Sequence, residues 1–304
     1  MSEVLTAIKH ALRYRIAKAR PPRARDLSQG PIRLYWWNDK VNFGDVLNPL
    51  IVTFLTGREV TWASLESADL YGIGSVYGWV RQNTGNYGRE IHIWGAGIKK
   101  PGEATGHADL LHHHLVRGPL TAIAAEDDTL PQGDPGLLAP EACGVARAAD
   151  ARGIGIIPHR SQWSRPEYIA ELAALPGVRM IDYRTEDCTA ILQEMASCER
   201  IYSTSLHGLI VADALGIPNY HFQGRRFAGL GHDYKFFDYA LSVGRDLTRP
   251  VDLETHLGTA PKPQDTAYLA NIPGVKAAIA GSFPYDVFGG DRTIAEGLVK
   301  ALTA

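Results

Sequence analysis

Cysteine is scarce in this 304-residue chain, and the three present, Cys143, Cys188 and Cys198, form no C-x-x-C pair. An odd count without that spacing argues against a disulfide framework and against a cysteine zinc site, and it fits a reducing cytoplasm. No apolar run reaches the roughly 18 residues that a membrane span needs, and the N-terminus lacks the continuous apolar region of a signal peptide, so a cytoplasmic protein is expected. A surplus of positive charge is missing too. The 31 Lys and Arg stand against 33 Asp and Glu, a formal net charge of −2, which speaks against nucleic acid as a partner. There is no Walker A pattern, no G-x-S-x-G and no H-E-x-x-H, and "GAG" at 95–97 is too short for a dinucleotide fingerprint. The run His112, His113, His114 alternates across a strand and leaves no complete ligand set, so no metal is expected.

What is present is a repeated alternation of short apolar runs with helical stretches, the pattern of βα units and a parallel sheet. The first half offers strands at "IRLYWW", "REVTWAS", "LYGIGSV", "EIHIWGAG" and "HHLVRG", with helices at "DVLNPLIVTFLTG" and "PLTAIAAED". Gly57 suits a helix stop and Pro119 a first turn. A Gly-, Pro- and Ala-rich crossing ends near 148, after which "GIGIIPHRS", "VRMIDY", "RIYS" and "NYHFQ" restart the pattern with helices between them. The expected organisation is α/β: a basic N-terminal segment (1–29), a first Rossmann-like domain (30–148), and a second (149–304) that includes the C-terminal helices. The 1–25 stretch places Leu5, Ile8, Leu12 and Ile16 near one helical face among several Lys and Arg. Such a helix can rest on an anionic inner-membrane surface or dock on its own protein.

Ligands of open α/β sheets sit beyond the carboxyl ends of the strands, which directs attention to four polar loops. In "VRGPLT", Arg117 precedes Gly118 and Pro119 at a helix start, where an anion gains charge-assisted hydrogen bonds; the alternative is a structural ion pair, with Asp134 for example. In "STSLHG", Ser203, Thr204 and Ser205 stand at a helix entry with His207 in the first turn. A ligand can approach free N–H groups there, or Ser205 can simply cap the helix while His207 is a satisfied half-buried imidazole. "NFGD" offers Gly44 for a tight turn and Asp45 at the mouth of a helix, as cap or as base. His159 in "IPHRS" ends the first strand of the second half.

Taken in order, "NFGDVLNPLI", "WGAGI", "VRGPLTA", "GDPGLLAP", "IIPHRS" and "STSLHGLIVADALGIP" resemble the polysaccharide pyruvyl transferase family, and "HDYKFFDYAL" is similar to its Lys-aromatic-x-Asp stretch. The resemblance implies a glycosyltransferase-B-like fold, in which two Rossmann-like domains face a cleft. It also implies transfer of a pyruvyl group from phosphoenolpyruvate to two hydroxyls of one sugar, giving a cyclic ketal and phosphate. The acceptor would be a bacterial polysaccharide or its lipid-linked oligosaccharide precursor, and no cofactor is called for. On this scheme Asp45 and His207 are catalytic, Asn42 and Gly44 face the acceptor, and Arg117, Gly118, His159, Arg160, Ser203, Thr204, Ser205 and Lys235 face the donor. The chain departs from many members at Ser205, where they carry Arg before Leu-His; Lys235 or Arg160 is expected to supply that charge. A nucleotide-sugar glycosyltransferase and a non-catalytic glycan-binding protein on the same fold are the competing readings.

Overall fold

The computed structural model describes residues 25–87, 89–106, 108–223, 233–246, 250–259 and 265–303. The expected basic helix lies almost wholly outside them. Among the described residues no helix is long and apolar enough to cross a membrane.

Two parallel sheets carry the architecture. The first contains β1 (Ile32–Tyr35), β2 (Val60–Trp62), β3 (Leu70–Tyr71), β4 (Ile91–Trp94) and β5 (Leu111–Leu115) in the order β2-β1-β3-β4-β5. The second contains β6 (Ile154–Ile157), β7 (Val178–Met180), β8 (Arg200–Ser203) and β9 (Asn219–His221) in the order β7-β6-β8-β9. In both, the chain moves outward from the first strand to one neighbour and then reverses past it, so each sheet has a topological switch point, between β1 and β3 and between β6 and β8. Crevices at such points, outside the carboxyl ends of the strands, are where doubly wound sheets hold ligands.

Two of the strands are buried throughout: all four residues of β4, His92 among them, and all four of β6, as expected of parallel sheets covered by helices. The helix Phe43–Thr56 follows β1, buries Phe43, Leu47, Ile51, Val52 and Leu55, and ends on Gly57 in the left-handed region, whose N–H bonds the Thr53 carbonyl at 2.8 Å. Pro49 lies inside this helix and has no N–H to give to the Asp45 carbonyl. The side chain of Asn48 supplies the missing donor, with Nδ2 3.2 Å from that carbonyl and 3.0 Å from the carbonyl of Ile73. The start of the helix is thereby tied to the loop after β3.

The two halves are not independently packed. One continuous hydrophobic cluster runs from Leu34, Phe43 and Ile51 through Leu137 and Leu138 to Ile181, Leu192 and Leu209. The Phe43 N–H donates to the Tyr183 carbonyl at 2.9 Å, with the two rings 4.5 Å apart. The last helices, grouped with the second half in the sequence reading, return across the first sheet: Phe283 meets the edge of Trp94, Phe288 meets His92, and Tyr285 donates to the Leu55 carbonyl. The histidine run alternates as its strand requires. His92 stacks against His112 and His114, while His113 bonds the Tyr77 hydroxyl from the other side.

Candidate active site

The carboxyl ends of both sheets open on one cavity of about 470 Å³. The first half lines it with Trp37, Asn42 and Asp45 after β1, Gly74 to Val76 after β3, Trp79, and Lys99 after β4. Arg117 after β5 and Asp134 contribute deeper surface. The second half adds His159 and Arg160 after β6, Ser205 to His207 after β8, and Lys235. Both switch points therefore face the same space. Asn42, Asp45, Arg117, His159, Arg160, Ser205, His207 and Lys235 from the sequence reading all meet there.

Asp45 sits in the first turn of the Phe43–Thr56 helix, but its carboxylate does not cap the backbone: Oδ2 accepts from Asn42 Nδ2 at 2.6 Å. Burial pushes its pKa up to about 6, against the pull of that hydrogen bond and of the Lys235 charge. Lys235 shows the converse effect. Burial, with the nearby Arg117 and Lys99 charges, lowers its ammonium to about 8, while Asp45 and Asp233 oppose the shift. A carboxylate and an amine poised on either side of neutrality in one cavity match what proton transfer at that pH requires.

His207 occupies the first turn of the Leu206–Ala214 helix, and burial, with the nearby Lys235 and Arg117 charges, drives it down to about 3, which favours the neutral imidazole. Its Nε2 has no hydrogen-bond partner among the described residues and faces Oδ2 of Asp134, equally unpartnered, at 4.0 Å. The other oxygen of Asp134 accepts from the Gly136 N–H at 2.9 Å and so caps the turn Pro135–Leu138. Asp134 was assigned no place in the site by its sequence context. Its burial, which raises it to about 6, and its approach to His207 are visible only in three dimensions.

Arg117 is fully buried and is already paired. Its guanidinium bonds Asp238, with Nε to Oδ2 at 3.0 Å, and also the Ser75 hydroxyl and the Ile98 carbonyl. Asp238 in turn accepts from the N–H and the hydroxyl of Thr121. The anion expected at the Pro119–Ala124 helix start is thus the protein's own carboxylate, presented by the Lys-aromatic-x-Asp stretch. Gly118 lies beneath that contact and outside the cavity lining: a Cβ there would stand 1.9 Å from the Asp238 carbonyl oxygen.

Three more of the expected site residues work behind the cavity wall. Ser203 accepts from the Ser205 N–H, and Thr204 Oγ1 accepts from the His159 N–H at 2.7 Å and donates to Gln162 at 2.6 Å. These bonds fix the loops after β6 and β8 relative to each other. Gly44 is buried beneath His207, with room for no Cβ because Nδ1 would lie 2.0 Å from it. Ser205, by contrast, lines the cavity without capping its helix. Arg160 crosses between the halves, donating from Nε to the Val41 carbonyl at 3.0 Å, and Lys99, with no motif to mark it, adds an exposed cation at the rim.

A family model described as polysaccharide pyruvyl transferase matches residues 13–223, spanning every lining segment of the cavity but the helix Tyr234–Ser242, which carries Lys235. The chain belongs to the polysaccharide pyruvyl transferase family. An uncharacterized protein of Acanthamoeba polyphaga mimivirus is 29% identical over 226 residues, covering 70% of this chain and 74% of its own length. No solved structure matches. Family membership brings with it transfer chemistry on a polysaccharide acceptor, and the cavity just described is where the sequence motifs of the family converge.

Proposed function

We propose that this pyruvyl transferase takes its pyruvyl group from phosphoenolpyruvate and joins it to two hydroxyls of one acceptor sugar as a cyclic ketal. Its two sheets would act as the Rossmann-like halves of a glycosyltransferase-B-like cleft. The observation that carries the reading is the convergence of Asp45, Lys235 and the His207–Asp134 pair on one cavity between the two switch points.

The chemistry asks for a proton at the methylene carbon of the donor, which leaves an oxocarbenium-like centre at the carbon bearing phosphate. One sugar hydroxyl adds there and loses its proton; the C–O bond to phosphate then breaks, and the second hydroxyl adds and loses its proton in turn. Of the two hydroxyl protons, one is balanced by the new methyl group and the other leaves with phosphate. Asp45, at about 6, is ionised at neutral pH and suited to accept the hydroxyl protons. His207, held toward its neutral form by burial, gains basicity when a multiply charged anion enters beside it, and Asp134 stands behind it to hold the imidazolium. The donor's carboxylate and phosphate require cations from more than one direction. Lys235, Lys99 and Arg160 supply them from three separate segments of the chain and take the place of the Arg absent at Ser205. Arg117, its charge balanced by Asp238, contributes shape and one face of the floor. The acceptor is proposed to be a lipid-linked oligosaccharide met at the inner membrane surface.

The test is incubation of the purified chain with phosphoenolpyruvate and candidate lipid-linked or free oligosaccharides, following phosphate release together with the acceptor's mass. Stoichiometric phosphate and a mass gain of one pyruvyl ketal are expected. Phosphate release without acceptor modification, or turnover with a nucleotide sugar instead, would sink the proposal.

A further inference from the structure

Trp37 and Trp79 stand together on the first-half wall of the cavity, their ring centroids 5.7 Å apart and their planes inclined by 43°. Trp37 is 39% exposed, and Trp79, in the first turn of the helix Tyr77–Tyr87, is half-buried. Leaving large indole surface open to water forgoes the burial that aromatic side chains normally gain, and apolar walls with a few convergent polar groups are the usual make-up of a small-molecule site. None of the catalytic or charge-holding roles above uses these two rings.

We infer that the Trp37–Trp79 pair is a stacking platform for the acceptor, and that the acceptor is an uncharged hexopyranoside presenting an uninterrupted C–H face. With centroids 5.7 Å apart and planes inclined by 43° the rings leave no room for a flat base between them, and they present two adjoining apolar faces to the cavity. A pyranose is suited to it because its axial C–H groups form an apolar face while its hydroxyls project around the edge. The loop that holds Trp37 continues directly to Asn42 and Asp45, which places the hydroxyl edge of a stacked sugar toward the carboxylate and the amide. A uronic acid is disfavoured on the same wall, because its carboxylate would meet Asp45 in a partly desolvated space.

The identity of the reacting hydroxyls rests on the pyruvyl-transfer reading, whereas the stacking does not, and the experiment separates the two. Methyl β-galactopyranoside, methyl β-glucopyranoside, sodium galacturonate and uridine diphosphate are titrated against the full chain by intrinsic tryptophan fluorescence, and the Trp37→Ala, Trp37→Phe and Trp79→Phe variants are compared in the transfer assay. The neutral glycosides are expected to quench emission, and Trp37→Ala to abolish the response. In the transfer assay, Trp37→Ala is expected to raise the acceptor KM roughly tenfold or more while the donor KM stays unchanged, with Phe at either position retaining part of the affinity. Quenching by the neutral glycosides in a chain that never turns over phosphoenolpyruvate would overturn the proposed reaction and leave the platform standing. Normal turnover with an unchanged acceptor KM in Trp37→Ala, a raised donor KM, or quenching by uridine diphosphate or galacturonate in place of the neutral glycosides would overturn the platform.

Discussion

Nε2 of His207 and Oδ2 of Asp134 face each other across 4.0 Å, and neither atom has a hydrogen-bond partner among the described residues. The gap is too wide for a hydrogen bond, yet both groups are buried and burial keeps each of them toward its neutral form. Unsatisfied polar atoms inside a protein are costly and rare, so a facing pair of them marks a place where a proton or a ligand atom is expected during the working cycle.

Asp134→Asn separates the cost of that arrangement from its use. The native carboxyl is raised to about 6 in the fold, above its ordinary 3.8, so the folded state binds the proton more readily than the unfolded chain between those values. Stability therefore falls as pH rises through that window and carries the full penalty at neutral pH. The amide keeps the Gly136 hydrogen bond without the charge. It should gain about 1–3 kcal/mol of stability at pH 7 and little at pH 4, read by denaturant unfolding at both values, while transfer activity falls by about two orders of magnitude or more.

The pH dependence of kcat/KM should be bell-shaped, with a rising limb near 6 as Asp45 ionises and a falling limb near 8 as Lys235 loses its proton. Asp45→Asn removes the activity that defines the rising limb. Lys235→Arg keeps the charge and should carry the falling limb to higher pH. A falling limb that stays in place in that variant would assign it to another group.

Arg117→Ala tests whether that guanidinium is architecture or ligand contact. Removing one member of a buried pair leaves the other charge uncompensated, at about 3–5 kcal/mol, so Arg117→Ala and Asp238→Ala should each unfold at markedly lower urea concentration. The double variant should lose less than the two single losses added together, because the two side chains share one interaction. A fully stable Arg117→Ala with only donor affinity lost would return the residue to direct binding.

Two glycines make a contrasting pair. Gly44→Ala would push the imaginary methyl group against His207 Nδ1 and should depress turnover by displacing the imidazole. Gly118→Ala would collide with the backbone of Asp238, which moves less readily than a side chain, and should appear first as lost stability. Thermal melts set beside transfer rates distinguish the two outcomes.

How much of this could be read in the chain depends on which residues act locally. The alternating strands, the stop at Gly57, the first-turn Pro119 and the order of the polar loops are local signals. The helix Tyr77–Tyr87 gave none: "YGWVRQNTGNY" has no apolar stripe, and Trp79 was hidden with it. Trp37 read as the tail of a strand, although β1 ends at Tyr35. The partner of Arg117 could not be found from spacing, since Asp238 lies 121 positions away. Ser203, Thr204, Gly44 and Gly118 stand out in the sequence, but none of them lines the cavity: Ser203 and Thr204 hold the loops after β6 and β8, and the two glycines lie under His207 and Asp238, a distinction that spacing along the chain does not carry.

The Asp238 carboxylate, gripping Arg117 and Thr121 from the opposite half, acts as a rivet through the molecule. With the closing helices strapped back over the first sheet and a single apolar interior beneath, the jaws of this transferase are held at a set width. Because Lys235 lies on the same helix as Asp238, and Arg117 lines the cavity, that rivet sets the spacing of cavity residues drawn from both halves.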